Sequence, residues 1–163
     1  MLRYALLFAL GTTPAIADSQ IAFDALKPLV GTWRPADKPD SALTVTFELI
    51  ANDSVLVEHW HSPTQQSMTV YHRDGDALLA THYCPQGNQP RLALSRTEAD
   101  GSLRFEFRDG TNVNVPGGHH EALLTLHHAG DELTRGEVYA GNAEPFDASA
   151  AQPELTRFVR VRD

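Results

Sequence analysis

The sequence predicts an all-β fold: an up-and-down antiparallel β-barrel of about eight to ten strands behind a short N-terminal helical turn. Three observations carry that expectation. Apolar and polar residues alternate in short runs after Gly31, turn residues separate these runs, and no helical apolar period recurs beyond that point. The absent helical period disfavours βαβ architectures. Closure into a barrel is favoured because it removes unpaired strand edges and leaves interior room for one small ligand.

Taken in order, the first segment differs in kind from the rest. Arg3 is followed by the apolar run Tyr4 to Leu10 and then by Ala15-Ile16-Ala17. This is the order of a cleavable secretory signal, so residues 1–17 are expected to be a leader. Residues 18–163 are then expected to form one domain, periplasmic or secreted. The apolar run is too short for a bilayer core of roughly 30 Å, and no other stretch approaches the ~20 apolar residues of a membrane helix. Ile21 to Val30 carries Leu26 and Leu29 on a helical spacing, and Pro28 limits that segment to a short turn.

Strands are predicted at Gly31–Arg34, Leu43–Leu49, Val55–Trp60, Met68–His72 and Ala77–Cys84. Further runs follow at Arg91–Ser95, Leu103–Phe107, Ala122–Leu126, Leu133–Tyr139 and Leu155–Val161. Asp74-Gly75-Asp76 is the strongest hairpin signal among the connections.

Composition narrows the partners. The formal charge is −8, and it becomes −9 once Arg3 is removed with the leader, which carries no other charged side chain. An acidic domain without a basic run argues against nucleic acid and anionic membrane surfaces. Cys84 is the sole cysteine, so no intramolecular disulfide is possible.

Leu29-Val30-Gly31-Thr32-Trp33 resembles the G-x-W opening of lipocalin-like (calycin) barrels. The resemblance implies a tryptophan plugging the closed end, with an arginine of the last strand over it. Gly31, Trp33 and Arg160 are the residues it assigns to that structural role. The stretch from Tyr71-His72 through Thr81-His82-Tyr83-Cys84 to Gly87-Asn88-Gln89-Pro90-Arg91 is similar to a group of bacterial exported lipocalin-like proteins. Thr111-Asn112, Pro116 and His119 fit the same group, which implies a fold and no particular activity. Nitrobindin-type haem barrels extend the opening as G-x-W-x-G-x-G. Here Arg34-Pro35-Ala36 follow Trp33, so haem is not implied and no cofactor is expected.

Candidate ligand-binding residues are Glu58, His72, His82, Cys84, Gln89, Arg91 and His119. The densest polar group surrounds His82, Cys84, Gln89 and Arg91, the residue types that orient a ligand at a barrel mouth. A structural loop is the competing reading of that group. His72 and His82 share a face only if the Asp74–Asp76 hairpin has a three-residue or bulged loop. Glu58 and Glu137 lie in strand-like runs, where either could meet Arg91 or Arg135 in the lumen. His82 and Cys84 are the catalytic candidates, and activation would require a lowered thiol pKa. Eight histidines invite a metal hypothesis, yet they fall in separate segments without a compact ligand motif, so no metal site is assigned.

The favoured function is binding of a small apolar or amphipathic molecule in the barrel lumen. The alternatives are an enzyme using a His82–Cys84–Arg91 cluster, which requires those side chains to converge, and a metal-binding exported protein.

Overall fold

The computed structural model describes residues 18–142 and 145–162. The expected leader over 1–17 lies outside them. Ser19–Leu26 form helix α1, and a 3-10 turn follows over Lys27–Leu29. The Asp18 side chain accepts a hydrogen bond from the Gln20 backbone N–H and so caps α1. Ten strands follow. They are β1 (Gly31–Pro35), β2 (Thr44–Ile50), β3 (Val55–His61), β4 (Gln66–Asp74), β5 (Ala77–Tyr83), β6 (Gln89–Thr97), β7 (Leu103–Thr111), β8 (His119–Ala129), β9 (Glu132–Gly141) and β10 (Glu154–Arg160).

Each strand pairs antiparallel with its sequence neighbour, and β1 pairs with β10 to close the barrel. The up-and-down expectation is therefore met. Among the described residues, no helix is long and apolar enough to cross a membrane.

The two ends of the barrel differ. At the lower end, Ala22, Phe23, Leu26 and Leu29 of the helical segment join the core of the barrel. Ser19 Oγ donates to the Gly75 carbonyl at 3.1 Å, tying α1 to the β4–β5 turn. Trp33 is fully buried and donates its indole N–H to the Leu29 carbonyl at 2.8 Å. The Arg160 guanidinium lies 4.2 Å from the Trp33 ring centroid. It also donates to the carbonyls of Val30 (2.6 Å) and Pro28 (2.7 Å). A cation over an indole face, fixed by two carbonyls, ties the last strand to the chain just before the first.

Above this floor the lumen is filled rather than hollow. Phe47, Leu56, Tyr71, Leu78, Leu92, Phe105, Leu124, Leu133 and Phe158 occupy it as buried side chains. Strand alternation explains the selection, because residues two apart project to one face. The upper end is framed by the longer connections at 36–43, 62–65, 84–88 and 112–118.

Candidate functional site

The upper half of the lumen holds a network of buried polar side chains contributed by five of the strands. Arg135 of β9 sits at its centre, only 2% exposed. Its Nε lies 2.8 Å from Glu58 Oε1 of β3, and its Nη2 lies 3.4 Å from Glu121 Oε1 of β8. Nη1 pairs with Glu137, two residues further along β9 and on the same face. Tyr71 of β4 donates its hydroxyl to Glu58 Oε2 at 2.5 Å. The guanidinium carbon also lies 5.4 Å from the Trp60 ring centroid.

His82 of β5 completes the group. It is 3% exposed, with Nδ1 3.0 Å from Thr69 Oγ1 and 3.7 Å from Glu121 Oε2. Three buried atoms of this group make no hydrogen bond, His82 Nε2, Glu121 Oε2 and Arg135 Nε, although Arg135 Nε is ion-paired with Glu58. Most buried polar atoms are paired, so unpartnered ones within a single network mark a place where a partner belongs. A pocket of about 190 Å³ opens over the network. Its lining includes Trp60, Ser67, His82, Arg135, Glu137 and Tyr139.

Burial sets the protonation of these groups. It raises the Glu121 carboxyl to about 8, with the Glu137 and Glu58 carboxylates acting in the same direction against Arg135. Burial lowers His82 to about 4, assisted by the Arg135 cation. Burial also raises the Tyr71 hydroxyl well above its ordinary value, and Glu58 adds to the effect. For Arg135, burial alone would favour loss of the proton, but Glu58, Glu137 and Glu121 overcome it and hold the guanidinium charged. Near neutrality the network thus contains a protonated Glu121 and a neutral His82 around the charged Arg135. An anion finds no free counter-charge in it.

The residues singled out in the sequence divide between this site and other places. Glu58 and His82 are inside, and the pairing of Glu58 with Arg135 is one of those weighed from the strand pattern. Cys84 is buried just past the end of β5, where burial raises its thiol pKa, the opposite of what a nucleophile needs. Its backbone N–H donates to the Asn88 carbonyl at 3.0 Å, and Gly87 N–H donates to the Cys84 carbonyl at 3.0 Å, so the 84–88 segment is a compact loop. Gln89 opens β6, half-buried and paired with Thr111. His119 is exposed at the top of β8, its carbonyl accepting from Asn88 Nδ2 at 2.7 Å. Gly31, Trp33 and Arg160 lie at the floor, far along the strands from the mouth.

His72 and Arg91 are not brought to the lumen. Asp74 pairs with Ala77, so the β4–β5 connection is a two-residue turn, and His72 is opposite Leu79 while His82 is opposite Thr69. Directly opposed residues share a face and here are always one odd and one even, so His72 and His82, both even-numbered, project to opposite faces, which leaves His72 on the outer surface. Arg91 is opposite Thr81, the outward neighbour of His82. It is exposed and paired with Asp109. The His82–Cys84–Arg91 cluster that an enzyme reading required therefore does not form. His59 and His61 are exposed on the outer face of β3. Among the described residues, no three His, Cys, Asp or Glu side chains converge as a metal site would require.

Glu121 escaped the sequence reading, as did the central place of Arg135. Strict alternation through Ala122–Leu126 puts even-numbered residues inside and Glu121 outside. A bulge between Glu121 and Leu123 inserts an extra residue on β8, so that Glu121 faces Tyr139 and Leu124 faces Glu137, both within the lumen. No local composition marks that bulge.

No protein-family model matches the chain, and no curated protein matches it significantly.

Proposed function

We propose that this chain is an exported barrel that binds a small amphipathic molecule at the open end, its polar part meeting the Arg135 network. The single observation that carries the reading is the unpartnered, buried His82 Nε2 of a residue that lines a pocket of about 190 Å³. The pocket is smaller than the roughly 300–1,000 Å³ of sites for drug-sized ligands, so the ligand is small. Its lining favours an amphipathic molecule over a purely apolar one, since Trp60, Pro85 and Tyr139 supply the apolar surface and Ser67, His82 and Glu137 the polar groups. Three acidic side chains surround the single Arg135 guanidinium, which favours a neutral or cationic ligand over an anion. Export rests on the Arg3, Tyr4–Leu10 and Ala15–Ala17 pattern, and the lipocalin-type reading on the G-x-W opening with Arg160 over Trp33.

Native mass spectrometry on the mature chain tests binding directly. A small adduct on the natural sequence, lost from His82→Leu, is expected. A chain that carries no adduct and whose melting temperature is unmoved by a library of neutral and cationic fragments would reject the proposal. The mass of the N-terminus in exported protein tests cleavage after Ala17.

A second reading is proton transfer in the same pocket, favoured by one observation: neighbouring titratable groups have been driven apart, Glu121 up to about 8 and His82 down to about 4. Such divergence is how acid and base roles are divided within a site. In that case turnover of a bound molecule follows a pH profile that shifts in Glu121→Gln.

A further inference from the structure

The barrel wall has an opening on one side. The β7–β8 ladder runs from Leu103 opposite Leu126 to Glu106 opposite Leu123 and stops there. Yet β7 continues to Thr111, still paired with β6, and β8 begins at His119, paired with β9. Between the diverging ends is a cleft of about 310 Å³, lined by Glu106, Phe107, Val113, His120, Asn142 and Phe146 among others. It shares no lining residue with the mouth pocket.

His120 is the polar centre of this cleft, 8% exposed, with its ring 4.4 Å from that of Phe107. Its Nδ1 lies 2.7 Å from Asn142 Oδ1. The Asn142 amide is oriented in turn, because its Nδ2 donates to the Val115 carbonyl at 2.9 Å. Oδ1 can only accept, so Nδ1 carries the proton and, in the neutral ring, Nε2 is left as an acceptor. Among the described residues the ring's side-chain hydrogen bond is the one through Nδ1. The backbone is shaped around this arrangement. A Cβ on Gly118 would come within 2.7 Å of Asn142 Nδ2, and the Gly118 carbonyl accepts from the Asn142 N–H at 3.0 Å.

We propose that this lateral cleft is a second binding site, for a small neutral aromatic molecule whose N–H or O–H donates to His120 Nε2. Phe107, Val113 and Phe146 supply surfaces for a planar apolar body. A neutral ligand is selected because the charged residue on the lining, Glu106, is already paired with Arg104 at 3.0 Å and Arg96 at 3.5 Å. Among the described residues of the lining, neither free cation nor free anion remains to hold an ion.

Indole and 1-methylindole test the hydrogen bond against the apolar contact, since methylation removes the donor while keeping the aromatic body and adding apolar surface. Backbone amide titrations by NMR at about pH 8, above the ordinary imidazole range, are the measurement. Indole is expected to shift the amides of Phe107, Val113, His120 and Asn142 saturably. The methylated compound should bind about fivefold more weakly, the worth of one ordinary hydrogen bond. His120→Phe should abolish that difference, and if this variant fails to fold, the comparison on the natural chain stands alone. Shifts confined to mouth residues, no saturable shifts, or equal affinity for the two compounds would each overturn the proposal. The mouth pocket can fail its own test without affecting this one, because the reporting amides are different.

Discussion

Arg135 holds together more of the candidate site than any other residue, since three carboxylates converge on its guanidinium. Removing one partner of a buried ionic network leaves uncompensated charge in a low-dielectric interior. Arg135→Met is therefore expected to lower stability by about 3–5 kcal/mol in urea unfolding. Arg91→Ala, by contrast, removes an exposed pair with Asp109 and should change stability by less than about 1 kcal/mol, with ligand binding unaffected. Glu121 and His82 impose a pH dependence whose sign can be stated. Glu121 has its folded value at about 8 against an ordinary 4.5, so its contribution is full below about 4.5 and is lost as pH rises through about 8. His82 has its folded value at about 4 against an ordinary 6.5, so its contribution is full above 6.5 and is lost as pH falls toward about 4. Thermal melts should show a plateau between pH 4.5 and 6.5, where the two opposite slopes cancel, with stability falling from there toward about 8 on one side and toward about 4 on the other. Glu121→Gln should flatten the alkaline limb and His82→Leu the acid one, and a limb unchanged by its variant would show that another group controls it.

At the scale of elements, the two devices that place the site are both departures from, or details of, simple strand alternation. The β4–β5 turn was legible as a hairpin from Asp74-Gly75-Asp76, but its length was not. Asp74 opposite Ala77 makes it a two-residue turn, and that one-residue difference sends His72 outward. Gly75 lies in the left-handed region at φ +59°, with open space where a Cβ would stand. Gly75→Ala should thus cost about 1 kcal/mol through backbone conformation alone, read as a shift in the denaturation midpoint. A larger loss would show that the turn is doing more than reversing the chain. The β8 bulge is the second device. It turns Glu121 inward, and strand alternation by itself gave no sign of it. Glu58 and His82, both named from the sequence as ligand-binding candidates, lie buried on strands without such irregularity near them.

For the molecule as a whole, closure depends on the meeting of its first and last strands. Trp33 is opposite Arg160 in the β1–β10 ladder, and the guanidinium joins the indole face to two carbonyls of the preceding segment. Arg160→Ala should cost about 2 kcal/mol from the lost cation–π contact and hydrogen bonds, and Arg160→Lys less. Equal melting temperatures for all three chains would mean that closure rests on backbone pairing and core packing alone. The sequence by itself determined the fold class, the ten strands and the acidic character, because alternation, turn residues and charge are local properties of the chain. Only the tertiary structure decided which polar residues share the lumen, that Arg135 unites them, and where the wall opens beside His120. Those outcomes depend on register, and a single inserted residue or a shorter turn exchanges the inner and outer faces of everything that follows.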